Sequence, residues 1–525
     1  MTRAVLWGAL AALALYVGHA ALLGAWIVDD AGISFAYARN LATGHGLVSQ
    51  PGAAPVEGFT NLAWVLLLSL TMWLHLFDPV WTPKVLGAVC VALAFVGTGA
   101  LFAAGGRRPG WLVAVGLAVP AVSSGFAIWC ASGLENALYV GLVVTLGVVT
   151  LAPARTPKAC DRRAAVAGGT LFFLFCTRPD AAFYFWIPAF LFGLESRSGR
   201  WQRALVIYVA AFVLPWLLLT VFRGIYFQDV FPNTFYAKRG EGAKIFAWML
   251  AHMSLSAVVT LVMTVGTLVI GACGWGFHAL GQRLGPRLTP EFGSRYGLVL
   301  FFVTAYVIVL ALPGDWMLEH RFATPMFLFG PVAGLALLWE SLAHAGLGRR
   351  AALAGVAAAA ALGTAGVYSA RHTPAFVSAP ALGFDAVCAM SQRIAAAMEP
   401  LGPQATVLTP DIGGALWENR FRVLDLEGLT DRELGRDIGR ERGEIRRHVL
   451  EVRRPEGVWV HTFWMGVTGF DVDPAFQLAY APVWEERPLP GAPPIAGFYL
   501  RRDVAAIGHD GVARPRAPKT MESWR

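Results

Sequence analysis

Long apolar runs separated by short polar breaks fill the chain up to about residue 370. Apolar stretches near 4–28, 85–104, 111–131, 137–152, 164–177, 181–194, 204–222, 245–273, 297–312, 322–340 and 351–370 predict membrane helices, most of them near the ~20 residues needed to cross a bilayer. The run 61–77 is also apolar but is bounded by Asp78-Pro79. From 371 onward apolar positions thin out and charge rises. SQRIAAAMEPL (391–401) predicts a helix, and ATVLTPDIGGALWE, FRVLDLEGLTD, GVWVHTF and IAGFYLRRD predict strands with connecting loops. ELGRDIGRERGEIRRHVLE predicts a charged helix. The expected organisation is a transmembrane domain over 1–370, a soluble α/β or α+β domain over 371–504, and a disordered tail over 505–525.

Composition supports a polytopic membrane protein. The chain of 525 residues is 56% hydrophobic and only 14% charged, against roughly 25% in soluble domains, and its mean hydropathy is +0.55. The net charge of +8 is no sign of nucleic-acid binding, because most of the basic excess lies in short loops between spans. The six cysteines show no metal-type spacing. The first apolar run, about 25 residues long, exceeds the ~7–15 of a signal-peptide core and reads as a retained anchor.

Arginine and lysine decide how 61–77 is used. If it spans, Arg107-Arg108 falls outside and every later loop inverts. If it lies in the interface as a juxtamembrane helix, all basic loops share one side, as the positive-inside rule requires. These loops hold Arg3; Arg107-Arg108; Arg155, Lys158, Arg162 and Arg163; Arg197, Arg200 and Arg203; Arg283, Arg287 and Arg295; and Arg349-Arg350. The second arrangement gives eleven spans, an inside N-terminus and an outside C-terminus. The unusual polar segments then fall together on the outer face: DDAGISFAYARN to VEGFTN (29–61), SGLEN (132–136), TRPD (177–180), FPNTFYAK (231–238) and PGDWMLEHRF (313–322). The runs flanking TRPD are only about 14 residues each, which suits backbone lining a protein cavity rather than lipid.

Those segments carry the candidate chemistry. Ionisable groups at membrane boundaries are costly and mark sites or partners. Asp29 and Asp30 are candidate general bases, and Arg178, Lys238 and Arg321 are candidate phosphate ligands. Arg39, Glu57, Asn61, Glu135, Asp180, Asn233, Tyr236, Asp315, Trp316 and His320 are candidates to bind or orient a sugar or an acceptor. Among these, Glu57, Glu135, Asp180 and Asp315 could instead hold a divalent cation, for which hard oxygen ligands suit Mg, Mn or Ca. Structural roles compete at each position: Asp29-Asp30 as a span end, Arg178 as a buried partner of Asp180, Lys238 as a snorkelling lysine, Glu135 as a helix cap, and His320-Arg321 as a headgroup anchor.

The order of these motifs resembles the GT-C superfamily of polyprenyl-phosphate-sugar glycosyltransferases, and within it the mycobacterial terminal β-(1→2) arabinofuranosyltransferase family. DDAGISFAYARNLATGHGLV, VEGFTN, SGLEN, TRPD, PNTFYAK, GDWMLEHRF, TPDIGG and LDLEGLTD carry the resemblance, over residues 29 to about 431. It implies about eleven transmembrane helices with juxtamembrane helices, and Asp29 or Asp30 as base. It implies a polyprenyl-phosphate sugar donor, with decaprenyl-phosphate arabinofuranose as one candidate, and a glycan, lipid or protein acceptor at the outer face of a bacterial inner membrane. The sequence departs from the pattern at Gly32, where an aromatic residue is expected and where the donor pocket would change, and at Asn136 and Asp180. The competing readings are a ligase or polymerase of pyrophosphate-linked oligosaccharides, a transporter or flippase for a lipid-linked sugar, and a non-catalytic envelope-binding protein.

Overall fold

The computed structural model describes residues 3–106, 108–154, 156–194, 201–237, 291–312, 317–342, 346–438, 442–489, 492–508 and 511–516. Its first helix, α1 (Arg3–Ala21), buries Val5, Gly8, Ala9, Ala12 and Tyr16. That stripe recurs at the three- and four-residue spacing of one helix face, and its small residues permit the close approach typical of membrane helices. Trp7, Leu10 and Leu15 stay exposed. The stripe meets α4 (Trp81–Ala104) and α5 (Gly110–Val122). Around this core stand α7 (Asn136–Leu151), α8 (Pro157–Thr177), α10 (Trp201–Tyr226), α12 (Glu291–Ala311), α13 (Thr324–Ser341) and α14 (Leu347–Ser378).

Among the described residues five helices are long and apolar enough to cross a membrane, or six with one bent pair, against the eleven spans expected. The bent pair is α5 and α6 (Ser124–Cys130), expected as one span over 111–131 and broken by 70°. Pro120 lies inside α5, and Ser123, whose hydroxyl bonds the Val119 carbonyl, is extended, the ordinary ingredients of a kink. The expected span 181–194 is a 3-10 turn, Pro179–Phe185, followed by the short α9 (Trp186–Leu194), because Pro179 interrupts the run. The span 137–152 is a helix of 16 residues, the apolar part of α12 is Tyr296–Ala311, and 245–273 lies outside the described residues.

The segment after the first span, expected as an outer loop with juxtamembrane helices, holds two helices. Here α2 (Asp29–Ala42) is buried on nearly all sides, and α3 (Leu62–Trp73) packs on it. With 12 residues α3 is about 18 Å long at 1.5 Å per residue, too short to cross a hydrocarbon core of about 30 Å.

The soluble domain is a mixed five-stranded sheet of order β2-β1-β3-β5-β4. Its strands are β1 (Thr406–Thr409), β2 (Arg422–Asp425), β3 (Gly457–His461), β4 (Tyr480–Glu486) and β5 (Ala496–Arg501). The first three run parallel, and β5 runs antiparallel to β3 and β4. Two further helices, α15 (Phe384–Ala397) and α16 (Gly413–Glu418), face the membrane domain through α2. Residues 505–516, expected within a disordered tail, form the hairpin β6 (Ala505–Ile507) and β7 (Ala513–Pro515). Buried Ala505 and Ala513 join the sheet's core, an anchor that composition does not reveal. The expected boundary at 370 also moves, since α14 runs on to Ser378.

Candidate functional site

The site grows from the first turn of α2. Val28 enters it extended and bridges Gly383, so the helix starts at the seam with the soluble domain. Two carboxylates in this turn suit the positive end of the helix dipole. Adjacent helix positions point about 100° apart, and the two aspartates meet different surroundings.

Asp29 is 4% exposed. Its Oδ2 accepts the N–H of Gly413 at 3.0 Å and its Oδ1 that of Gly414 at 2.7 Å. Burial, then the Asp411 carboxylate and Asp30, push the Asp29 carboxyl well up, against the pull of the two N–H donors. Asp30 keeps 32% of its side chain exposed, and its Oδ2 lies 3.6 Å from Arg321 Nη1. The first aspartate ties two domains together; the second faces a cation in reach of solvent.

Gly32, one turn on, packs against the backbone of the soluble domain. A Cβ there would lie 2.5 Å from the Gly413 carbonyl carbon and 2.8 Å from the Phe384 ring. The aromatic residue expected at this position has no room, because the backbone of α16 occupies the space. Gly32 therefore faces the soluble domain.

Arg321 lies in a 3-10 turn whose carbonyl accepts from Asn136 Nδ2 at 2.8 Å. Its guanidinium sits 4.8 Å over the Phe322 ring, and that of Arg178 sits 4.5 Å over the same ring. Arg178 binds Asp180 at 3.0 Å and Glu135 at 3.3 Å. Glu135 accepts from Asn61 Nδ2 at 2.9 Å, and Asn61 in turn meets Ser34 of α2. Tyr139 donates to Asp180 at 3.1 Å. The structure thus joins VEGFTN, SGLEN, TRPD and HRF through Asn61, Glu135, Arg178, Asp180 and Phe322. Glu135 occupies the N-cap position of α7 without making a side-chain cap bond; its carboxylate is spent on Arg178 and Asn61.

Of the other expected site residues, Arg39, Asn233 and Tyr236 are placed in the joint between the domains. Arg39 donates to the carbonyls of Leu416 and Trp417 and lies 4.9 Å over the Trp417 ring. Asn233 donates to the carbonyls of Gly428 (2.7 Å) and Asp431 (3.1 Å). Tyr236 bonds Asp229 at 2.9 Å beneath the Arg436 guanidinium. Glu57 makes a buried two-point pair with Arg223, at 2.8 Å for each arm. His320 is partly buried in a left-handed backbone conformation, and burial pushes its imidazole down. Lys238, Asp315 and Trp316 lie outside the described residues.

Of the four carboxylates considered for a divalent cation, the three described are each paired with an arginine. Glu57 is held by Arg223, and Glu135 and Asp180 by Arg178. Among the described residues no three His, Cys, Asp or Glu groups gather as a metal site.

Sequence reasoning missed Arg223, Tyr139, Ser34 and Phe322. Arg223 had a signal, a lone charge directly after the apolar run 204–222. Tyr139 and Ser34 had none, since each acts through a partner remote in sequence.

The sequence matches no family model and no curated protein. Solved structures give a likeness in fold. The Archaeoglobus fulgidus oligosaccharyltransferase, in a complex with Zn and sulfate, aligns with TM-score 0.56 at 13% identity, over 93% of this chain and 72% of that one. The same enzyme tethered to an acceptor peptide containing the NVT sequon aligns with TM-score 0.55 at 11% identity, over 91% and 73%. ArnT from Cupriavidus metallidurans, bound to undecaprenyl phosphate, aligns with TM-score 0.53 at 13% identity, over 94% and 97%. Over nearly its whole length the chain has a GT-C-like fold: a polytopic helical membrane domain followed by a mixed-sheet domain.

Proposed function

We propose that the protein is an integral-membrane glycosyltransferase that moves a sugar from a polyprenyl-phosphate donor to an extracytoplasmic glycan, lipid or protein acceptor. The observation that carries this reading is the Asp30–Arg321 pair at 3.6 Å, a solvent-reachable carboxylate beside a cation at a membrane boundary. The fold likeness supports it: ArnT was solved with undecaprenyl phosphate and the oligosaccharyltransferase with an acceptor peptide. Clustering of the basic loops on one side supports an extracytoplasmic site in a bacterial inner membrane.

In the proposed reaction Asp30 takes the proton of an acceptor hydroxyl. The freed oxygen attacks the anomeric carbon from the face opposite the phosphate. The bond from that carbon to the phosphate oxygen breaks, the configuration inverts, and polyprenyl phosphate leaves with the electron pair. This leaving group is already a stable anion and needs little acid help. Arg321 offers it a two-point contact, and the site's contribution is positioning and charge. The buried cluster of Arg178, Glu135, Asp180 and Asn61 holds the walls. The soluble domain, fixed against α2, is proposed to present the acceptor.

Purified protein in proteoliposomes, offered matched polyprenyl monophosphate and pyrophosphate sugars, tests this reading. The expected result is release of polyprenyl phosphate and a glycosylated acceptor from the monophosphate donor. Turnover of pyrophosphate donors alone would replace it with the ligase or polymerase reading. Sugar binding with no release of polyprenyl phosphate would end it.

A further inference from the structure

Arg321 follows two residues in a backbone conformation that L-amino acids seldom adopt. Glu319 has φ +64° and His320 φ +57°. Consecutive non-glycine residues in this region persist only where the surroundings over-determine them, and such places cluster at functional sites.

The surroundings here are specific. The Glu319 carboxylate accepts from Ser124 Oγ at 2.8 Å, meets His372 Nδ1 at 2.8 Å, and lies 3.5 Å from the Tyr368 hydroxyl. The His372 ring stacks on Tyr368 with centroids 3.8 Å apart. The carbonyls of Leu318 and Glu319 accept from Trp129 Nε1 at 3.0 and 3.1 Å. Gly125 is pressed against the same turn: a Cβ there would lie 2.5 Å from the Glu319 carbonyl oxygen. Every one of these partners comes from α6, just past the break in the α5–α6 pair, or from the far end of α14. None of them touches Asp30 in the contacts described above. The cluster plays no part in the proposed reaction, yet it grips the residues just before Arg321.

We infer that Glu319 is a positioning residue: pinned by Ser124 and His372, its carboxylate holds the left-handed turn that presents the Arg321 guanidinium to Asp30 and to the donor phosphate. The inference rests on the reading of Asp30 and Arg321 given above. It adds a lever that runs from the last membrane helix to the donor site. Glu319 was not among the residues the sequence singled out, because its partners are 195 and 53 positions away.

A double-variant comparison tests it by kinetics in proteoliposomes, with donor and acceptor varied separately. Glu319→Ala should lower kcat/KM for the donor by about tenfold to a hundredfold, the scale of a misplaced catalytic group, and leave the acceptor KM unchanged. Arg321→Ala should lower it at least as far, and Glu319→Ala combined with Arg321→Ala should fall no further than Arg321→Ala alone, since both remove one function. Glu319→Gln, which can still accept from Ser124, should recover most of the activity. If Glu319→Ala does not fold, His372→Ala carries the same comparison. Multiplying losses in the double variant, or wild-type kinetics in Glu319→Ala and His372→Ala, overturn the inference and leave the role of Arg321 standing. Wild-type kinetics in Arg321→Ala overturn that role itself, and the inference with it.

Discussion

Asp29→Asn should loosen the joint between the membrane and soluble domains rather than remove a catalytic base. In the native protein both carboxylate oxygens accept backbone N–H groups, from Gly413 at 3.0 Å and Gly414 at 2.7 Å. An asparagine can accept only one of them; its amide nitrogen meets the other donor head-on. Losing a hydrogen bond to a charged group costs about 1.5–3 kcal/mol, and the stranded N–H costs about 1–3 kcal/mol, partly the same energy. Against this, removing the charge relieves its burial and the repulsion from Asp411, which already raise the carboxyl. A net cost of about 2 kcal/mol follows, which is about thirtyfold in the docking equilibrium at 1.4 kcal/mol per tenfold. Hydrogen–deuterium exchange of the peptides covering 411–418 and 28–42 measures it directly. The expected result is faster exchange in both segments, with transfer activity lowered only as far as docking is lost. Unchanged exchange together with abolished transfer would refute the reasoning and make Asp29 a chemical residue.

Three further outcomes follow from the same contacts. Gly32→Ala should expose the same two segments and cost about 1–3 kcal/mol of overpacking, since its Cβ meets the Gly413 backbone at 2.5 Å; thermal unfolding in detergent reads it. Arg223→Ala strands the buried Glu57 carboxylate and should cost about 3–5 kcal/mol, visible as a collapse in the yield of monodisperse protein. Asp425 is fully buried, and burial raises its carboxyl from 3.8 to about 6 despite bonds from Thr430 and Gly428. The folded state therefore holds a proton that the unfolded state has lost between those values, and stability should fall by about 3 kcal/mol as pH rises through that window and stay level above it. Asp425→Asn should flatten that slope in pH-dependent unfolding.

The helical, membrane character of the first part of the chain was legible because its apolar runs are long, though only five or six helices among the described residues are long enough to span. The break in 111–131 was not, since Pro120 alone does not say that a helix bends by 70°. The helical state of 29–42 was hidden for a different reason. With Ala31, Ile33, Phe35 and Tyr37 all buried, α2 is covered by α3 and by α15 and α16, so no polar face marks its period. The candidate residues were found by their type, but their partners lie far along the chain: Arg39 meets Trp417, 378 positions away. A sequence displays an arginine or an asparagine at a membrane mouth without displaying whether a substrate or a distant backbone will use it. Arg39, Asn233 and Asp29 proved to hold the soluble domain, and Asp30 and Arg321 stand next to each other. Gly32 shows the same limit in reverse, since a missing side chain there marks a close backbone that the sequence does not display.

The central claim, that Asp30 and not Asp29 takes the acceptor proton, is tested most directly by single-turnover release of polyprenyl phosphate from protein preloaded with a polyprenyl-phosphate sugar. Asp30→Asn should slow the transfer step by about a hundredfold to ten-thousandfold, the usual contribution of a general base, with native exchange protection over 411–418. Full-rate transfer by Asp30→Asn would contradict the account.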